Sequence, residues 1–550
     1  MKKIFLSLSL AFALNFSVVF AQENTMAEID STSLKNWYHQ NYEKTGVYGV
    51  GTDDAIDFVK SKGLKPSTII VGVIDSGVQI DHPDLKNNIW VNPKEKPNNK
   101  KDDDKNGYAD DVHGWDFIGG KDGKDVNQDT MEATRVVVKY ENLFEGTDAS
   151  ANQANITKYP NEYQEYKRAK LVYDSKLKAT EKGLNNIQEN QKQIGQMVST
   201  LRMALGNKTI TEENAQNIAN SGIKKYIMML AEDESVKGKT IDEFEKIALA
   251  QLKEGLDYFG NQEKYMLNKD FDPRNIVGDN YADLTQKYYG NHEVEGPDAL
   301  HGTHVSGIIA AERNNHIGMD GIAGDVAKIM VVRAVPDGDE RDKDIANAIF
   351  YAVDNGAKII NMSFGKSFSP NKERVWEAMK YAESKGVLMV HAAGNDNKNL
   401  DLTFNYPTNY KDGEKTSFVN NWITVGASTR YNDKLKASFS NYGQKVDIFA
   451  PGLEIYSTIT KSGYKFLQGT SMASPVVAGC AALLWAYFPN LTAVEVKDIL
   501  IKTSNKNTDP LLLDEDADTT FDKLSVSGGV VDVYKAVKYA YENYASKARN

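Results

Sequence analysis

Three short motifs supply the residue types that amide hydrolysis requires. Val73-Ile74-Asp75-Ser76-Gly77 offers a carboxylate, His301-Gly302-Thr303-His304-Val305-Ser306-Gly307 an imidazole, and Gly469-Thr470-Ser471-Met472-Ala473-Ser474-Pro475 a hydroxyl. Hydrolysis by a side-chain nucleophile needs an attacking hydroxyl, a base to take its proton, and a carboxylate to orient that base. Each of the three lies among glycines, where a backbone can approach a substrate closely. Singly they decide nothing. An Asp at a strand end is commonly a cap or turn former, and a Ser in such a turn is commonly structural. His301 and His304 also have a spacing that suits two metal ligands on a helix, although no third ligand lies near. The joint occurrence, in the order Asp, His, Ser, argues against coincidence.

The elements that must position these groups are legible around them. Ser67 to Gly77 reads STIIVGVIDSG, a β-branched run ending in an acid and a glycine, the pattern of a buried parallel strand. KIMVVRAV (328–335), KIINMSFG (358–365), GVLMVHAAGN (386–395) and ITVGAS (423–428) repeat it, with helical segments at 342–355 and 373–385 between. Alternating strand and helix predicts an α/β fold with a doubly wound parallel sheet. Ligands bind at the carboxyl ends of such strands, where Asp75, Ser363 and Asn395 fall. Ser471 opens an apolar helix, SMASPVVAGCAALLWAYF, whose free N–H groups and positive dipole end favour an oxyanion. Pro475 is expected in its first turn. His304 reads as a buried core histidine. His39, His82, His113, His292, His316 and His391 read as turn or surface groups.

The motifs HGTHVSG and GTSMASP, with their apolar continuations, resemble those of the subtilisin-like serine proteases, the subtilase family. The resemblance covers roughly residues 66–120 and 296–540. It implies a subtilisin-like fold and a serine endopeptidase that hydrolyses polypeptide substrates through an acyl-enzyme, with no cofactor required for the chemistry. It makes Asp75 the orienting carboxylate, His301 the general base and then acid, and Ser471 the nucleophile. Asn395, closing Ala392-Ala393-Gly394-Asn395, becomes the oxyanion donor. Ser363, Phe364 and Gly365 become the strand that pairs with substrate. Ala393 and Gly394 form the other wall of the first pocket, where small residues predict room for an apolar or aromatic side chain. Many relatives carry a second glycine where this chain has Lys366, which alters the entrance to that pocket. Asp84 and Asn315 resemble the family's structural calcium ligands. Separately, Asp102, Asp104, Asn106, Gly107 and Asp110 follow the spacing of a calcium loop, but His113 stands where its final Glu belongs. A structural calcium site and a solvated acidic turn both remain open there.

Asp75 and His301 lie 226 positions apart, against a few dozen in typical relatives, and residues 131–290, which differ in character, fill the excess. They lack β-branched runs. From Tyr163 to Leu205, positions stepping by threes and fours are apolar or aromatic except Lys170, Thr180 and Gln191, a heptad seam on one long helix. Thr211 opens a shorter helix. Thr240 with Glu243 forms a capping box for another, with Ile241, Phe244 and Ala248 on one face. The expectation is a large helical insertion, 131–290, in a catalytic domain of 66–130 and 291–545. It reads as a peripheral stabilising bundle, with a lid over the active-site rim as the sharper alternative, and no partner for it can be named.

Lys2, Lys3, the apolar stretch Ile4 to Phe20, and Val19 and Ala21 before Gln22 read as a signal peptide, 1–21. The mature chain is then secreted or periplasmic, without a membrane anchor, since no later stretch reads as a span. Residues 22–65 read as a segment packing on the catalytic domain, too short for a large pro-domain. The net charge of −11 does not suit a nucleic-acid partner. Cys480, the only cysteine, permits no intramolecular disulfide and reads as a buried hydrophobe.

Overall fold

The computed structural model describes residues 34–233, 235–512 and 518–544; the signal peptide expected at 1–21 lies outside them. Among the described residues, Lys170–Asn268 forms one compact unit and the remainder forms another. The strands are β1 (Ile69–Asp75), β2 (Gly114–Asp116), β3 (Ala327–Arg333), β4 (Ile359–Met362), β5 (Leu388–Ala392), β6 (Trp422–Ser428), β7 (Ile448–Pro451), β8 (Ile455–Ile459) and β9 (Gly463–Leu467). The principal helices are α1 (Glu132–Phe144), α2 (Pro160–Leu205), α3 (Ile241–Asn261), α4 (Leu300–Ala310), α5 (Asp342–Asp354), α6 (Lys372–Ser384) and α7 (Thr470–Tyr487).

In the larger unit the central sheet runs β2-β3-β1-β4-β5-β6-β7, all parallel, with Gly529–Val530 parallel beyond β7 and Asn505–Lys506 antiparallel at that edge. Side chains alternate between the two faces of a strand, and each face has its own core. Val71 and Val73 of β1, with Val331, Ile359 and Val390, pack with α4 and α7. Ile74, Met330, Val332, Ile360 and Met389 pack with α5 and α6 on the other face. Burial on both sides is why these strands read as continuous apolar runs. The runs at 328–335, 358–365, 386–395 and 423–428 form β3 to β6. The short β2 and β7 and the β8–β9 hairpin carried no comparable signal.

α7 departs from expectation in two ways. It is long and apolar enough to cross a membrane by length and composition, but 94% of that stretch is buried inside the protein. Its apolarity serves a core that surrounds it on every side. Pro475 lies inside the helix rather than in its first turn, being the sixth residue from Thr470.

The smaller unit is built from α2 beyond Lys170, Ser221–Glu232 and α3. The seam residues Ile187, Ile194, Val198, Leu201 and Leu205 pack with Ile227, Leu230, Phe244, Ala248 and Leu252. Thr180, a polar seam position, donates its hydroxyl to Gln262 Oε1 at 2.7 Å, so it is buried with a partner. The Thr240–Glu243 capping box forms in both directions. Residues 131–169 and 269–290, including α1, belong to the larger unit. The self-contained helical unit is therefore narrower than residues 131–290.

Candidate active site

Asp75 closes β1 and His301 opens the first turn of α4. The imidazole Nδ1 lies 2.8 Å from Asp75 Oδ1, which also accepts the Ser76 N–H at 2.8 Å. A carboxylate only accepts, so Nδ1 carries the proton and Nε2 presents its lone pair. α4 reaches β1 this closely because residue 302 is glycine: a Cβ there would stand 2.1 Å from the Gly77 carbonyl oxygen. Burial disfavours a charge on His301, but the Asp75 carboxylate and its hydrogen bond outweigh it and raise the imidazole above its ordinary value.

Ser471 is the second residue of α7, and Pro475 explains how it is held. Proline has no N–H, so the Ser471 carbonyl loses its helical partner four residues on. The hydroxyl of Ser363, just past β4, donates to that carbonyl at 2.9 Å. Ser363 Oγ in turn accepts from Asn361 Nδ2 at 2.9 Å, and Asn361 Oδ1 accepts from Ser474 Oγ at 2.9 Å. Ser471 Oγ itself donates to the Ser363 carbonyl at 3.1 Å, so in this rotamer it is turned to the β4 strand end rather than to His301. β1 and β4 pair directly, with Ile74 opposite Met362, so Asp75 and Ser363 are the next positions in register. Neighbouring strands lie ~4.8 Å apart. The carboxylate–imidazole pair and the serine thus occupy adjoining strand ends.

Asn395 follows β5. Its Oδ1 accepts from the backbone N–H of Thr470 at 2.9 Å and from the Thr470 hydroxyl at 3.0 Å. Two donors demand an oxygen, which leaves the amide nitrogen free beside the N-terminus of α7. Gly394, at φ +99, is required: a Cβ would lie 2.5 Å from Asn441 Nδ2.

Asn405 lies beside both Gly365 and Gly394, the small residues expected to wall the first pocket. Asn405 donates to the Ala392 carbonyl at 3.1 Å, and its Oδ1 would stand 2.5 Å from a Cβ on Gly365. The sequence reading missed Asn405 and Asn361; a polar residue inside the apolar run of β4 was the available signal for the latter.

His304 Nε2 lies 3.1 Å from the Ile455 carbonyl and 3.0 Å from that of Lys465, so it is their donor. Burial pushes its value down to about 3. The ring is neutral, and its Nε2 ties α4 to the β8–β9 hairpin. Contrary to expectation, His39 and His391 are buried away from turns, while His82 is buried within one. A neutral imidazole is tolerated there: burial holds His391 near pH 3.

The calcium candidates part company. Asp84 and Asn315 meet directly, Asn315 Nδ2 donating to Asp84 Oδ1 at 2.7 Å, while Met319 N–H and Tyr464 OH take Oδ2. Asp102 accepts the N–H groups of Asn106 and Gly107, and Asp110 those of Asn99 and Lys100, so both close turns. Asp104 instead gathers with Glu95 and Asp111, with ligand atoms within 4.8 Å of one another. Asn106 Nδ2 donates into this cluster, at 2.9 Å to Asp111. Burial raises Asp111 to about 6.

A doubly wound sheet thus carries these groups together at its carboxyl rim. The subtilase family model matches residues 67–517, and the chain belongs to this family of serine endopeptidases. It is 44% identical to a thermophilic serine proteinase of a Bacillus species over 38% of this chain and 47% of that protein. It is 37% identical to thermitase of Thermoactinomyces vulgaris over 48% of this chain and 86% of that one. It is 38% identical to a cell wall-associated protease of Bacillus subtilis over 46% of this chain and 25% of that protein. The match thus spans about half the first relative and a quarter of the third.

Proposed function

We propose that the chain is an exported endopeptidase that cleaves polypeptides through an acyl-enzyme on Ser471. Asp75 holds His301 in the tautomer whose Nε2 is a base. The Ser471 hydroxyl turns from the Ser363 carbonyl to Nε2, gives up its proton and attacks the scissile carbonyl carbon. The oxyanion is met by the Ser471 N–H and the Asn395 amide. The C–N bond breaks as His301 returns the proton to the leaving amine. Water, deprotonated by the same imidazole, then cleaves the ester and restores Ser471. The observation that carries this reading is the His301 Nδ1–Asp75 Oδ1 contact at 2.8 Å, one strand from Ser363 and Ser471.

A fluorophosphonate probe tests it on protein recovered outside the cytoplasm. Labelling that is lost in Ser471→Ala, on protein whose N-terminus is Gln22, is the expected result. Equal labelling of the variant, or a chain retaining residues 1–21, would sink the serine or the export respectively. A catalytically idle scaffold is the alternative and shows no labelling at all.

The chemistry needs no cofactor. Calcium has a structural place: Glu95, Asp104 and Asp111 offer the hard oxygen donors it prefers, and a cation there offsets the burial that raises Asp111. Chelation should then lower the thermal midpoint, and Asp104→Asn should abolish that response. An identical melting curve with and without chelator removes calcium from the account.

A further inference from the structure

β1 lies between β3 and β4 and leaves the sheet after Asp75, while both neighbours continue as residues 334–341 and 363–366. A slot one strand wide opens between the continuations. Backbone groups show which atoms face it, because N–H and C=O point to alternate sides along an extended chain. On the β4 side, Lys366 exchanges both its bonds with Tyr406, at 3.0 and 2.8 Å. Tyr406 lies on the β5 flank, since its neighbour Asn405 donates to Ala392 at the end of β5. Gly365 therefore turns its N–H and C=O into the slot. On the β3 side, Asp337 donates to Asn127 O at 2.8 Å and accepts from Asp129 N at 3.0 Å, on the flank of β2. Gly338 and Glu340 therefore face the slot.

The Lys366 side chain crosses it, and Arg135 Nη2 also reaches the Glu340 carbonyl, at 3.4 Å. Lys366 Nζ donates to the Glu340 carbonyl at 2.7 Å, to Glu132 Oε2 at 2.8 Å, and lies 2.8 Å from Asp342 Oδ1. All three ammonium protons are spent, and the side chain is 2% exposed. Swinging it away would strand buried carboxylates. A substrate with its scissile carbonyl at Ser471 starts beside Ser363 and runs back antiparallel toward Lys366. At ~3.3 Å per residue, the stretch from Ser363 to Lys366 accommodates about three residues.

We propose that Lys366 bolts this groove at its far end and limits recognition on the acyl side of the scissile bond to three residues. The inference rests on the peptidase reading above. A fourth residue leaves the groove without pairing.

The test is a series of N-acetylated peptide anilides with two, three, four and five residues before the anilide, identical in the three nearest it. kcat/KM should rise from two residues to three, and change by less than about threefold from three to four. In the double variant Lys366→Gly with Glu132→Gln, the four-to-three ratio should rise by about threefold or more. A larger gain at the fourth residue in the unaltered protein, or an unchanged ratio in a folded double variant, overturns the bolt. If the variant does not fold, the unaltered series decides alone. No hydrolysis at any length together with no fluorophosphonate labelling would instead defeat the peptidase reading itself.

Discussion

The proposed role of His301 as a base rests on one contact, that with Asp75. Held by Asp75, its raised value means the ring takes up a proton at a higher pH than an ordinary histidine. The base is lost once Nε2 is protonated, so the acid limb of kcat/KM should have its midpoint above 6.5, the ordinary histidine value. Stability runs the other way. The charged pair contributes fully below 6.5 and its contribution is lost as pH rises through the raised value. A pH–rate profile with its acid limb at or below 6.5 would show that Asp75 does not stabilise the imidazolium. The types and order of Asp75, His301 and Ser471 were legible in the sequence. The tautomer was not, because it depends on which ring nitrogen meets the carboxylate.

At the scale of elements, α7 and β4 are locked by a defect. Pro475 interrupts the helix, and the free carbonyl of Ser471 is taken up by Ser363, which Asn361 and Ser474 steady in turn. Ser363→Ala leaves a buried carbonyl and amide unsatisfied, at a cost of about 1–3 kcal/mol. Thermal unfolding should show the loss, with a slower rate of probe labelling. An unchanged midpoint would mean the hydroxyl is idle. Sequence pattern located both elements, with the start of α7 expected at Ser471, one residue from the observed Thr470; Pro475 falls in the second turn from either. It missed β2 and β7, three and four residues long.

At the scale of the molecule, the helical unit enters and leaves through neighbouring residues: the Tyr173 hydroxyl donates to the Leu267 carbonyl at 3.1 Å. Replacing residues 174–266 by a short Gly/Ser loop should leave the larger unit folded and reactive to fluorophosphonate, since loop closure varies slowly with length. Soluble protein without labelling would show that the helical unit is needed to shape the site. Residues 131–290 contrast in composition with the sheet and were legible as an insertion. That its flanks belong to the larger unit was not, because α1 binds its charged residues to partners far along the chain, as Glu132 does to Lys366.

By itself, the sequence displayed the class of the sheet, the types and order of Asp75, His301 and Ser471, and the helical character of the insertion. These depend on periodicity and on residue types that a local run displays. Only the tertiary structure decided that Asn405 sits beside Gly365 and Gly394, that Asp104 joins Glu95 and Asp111 rather than Asp102 and Asp110, and that Lys366 reaches Glu340, Glu132 and Asp342. Each of those is a meeting of groups from separate segments, and hydrogen-bond pairing between distant residues leaves no period in the chain.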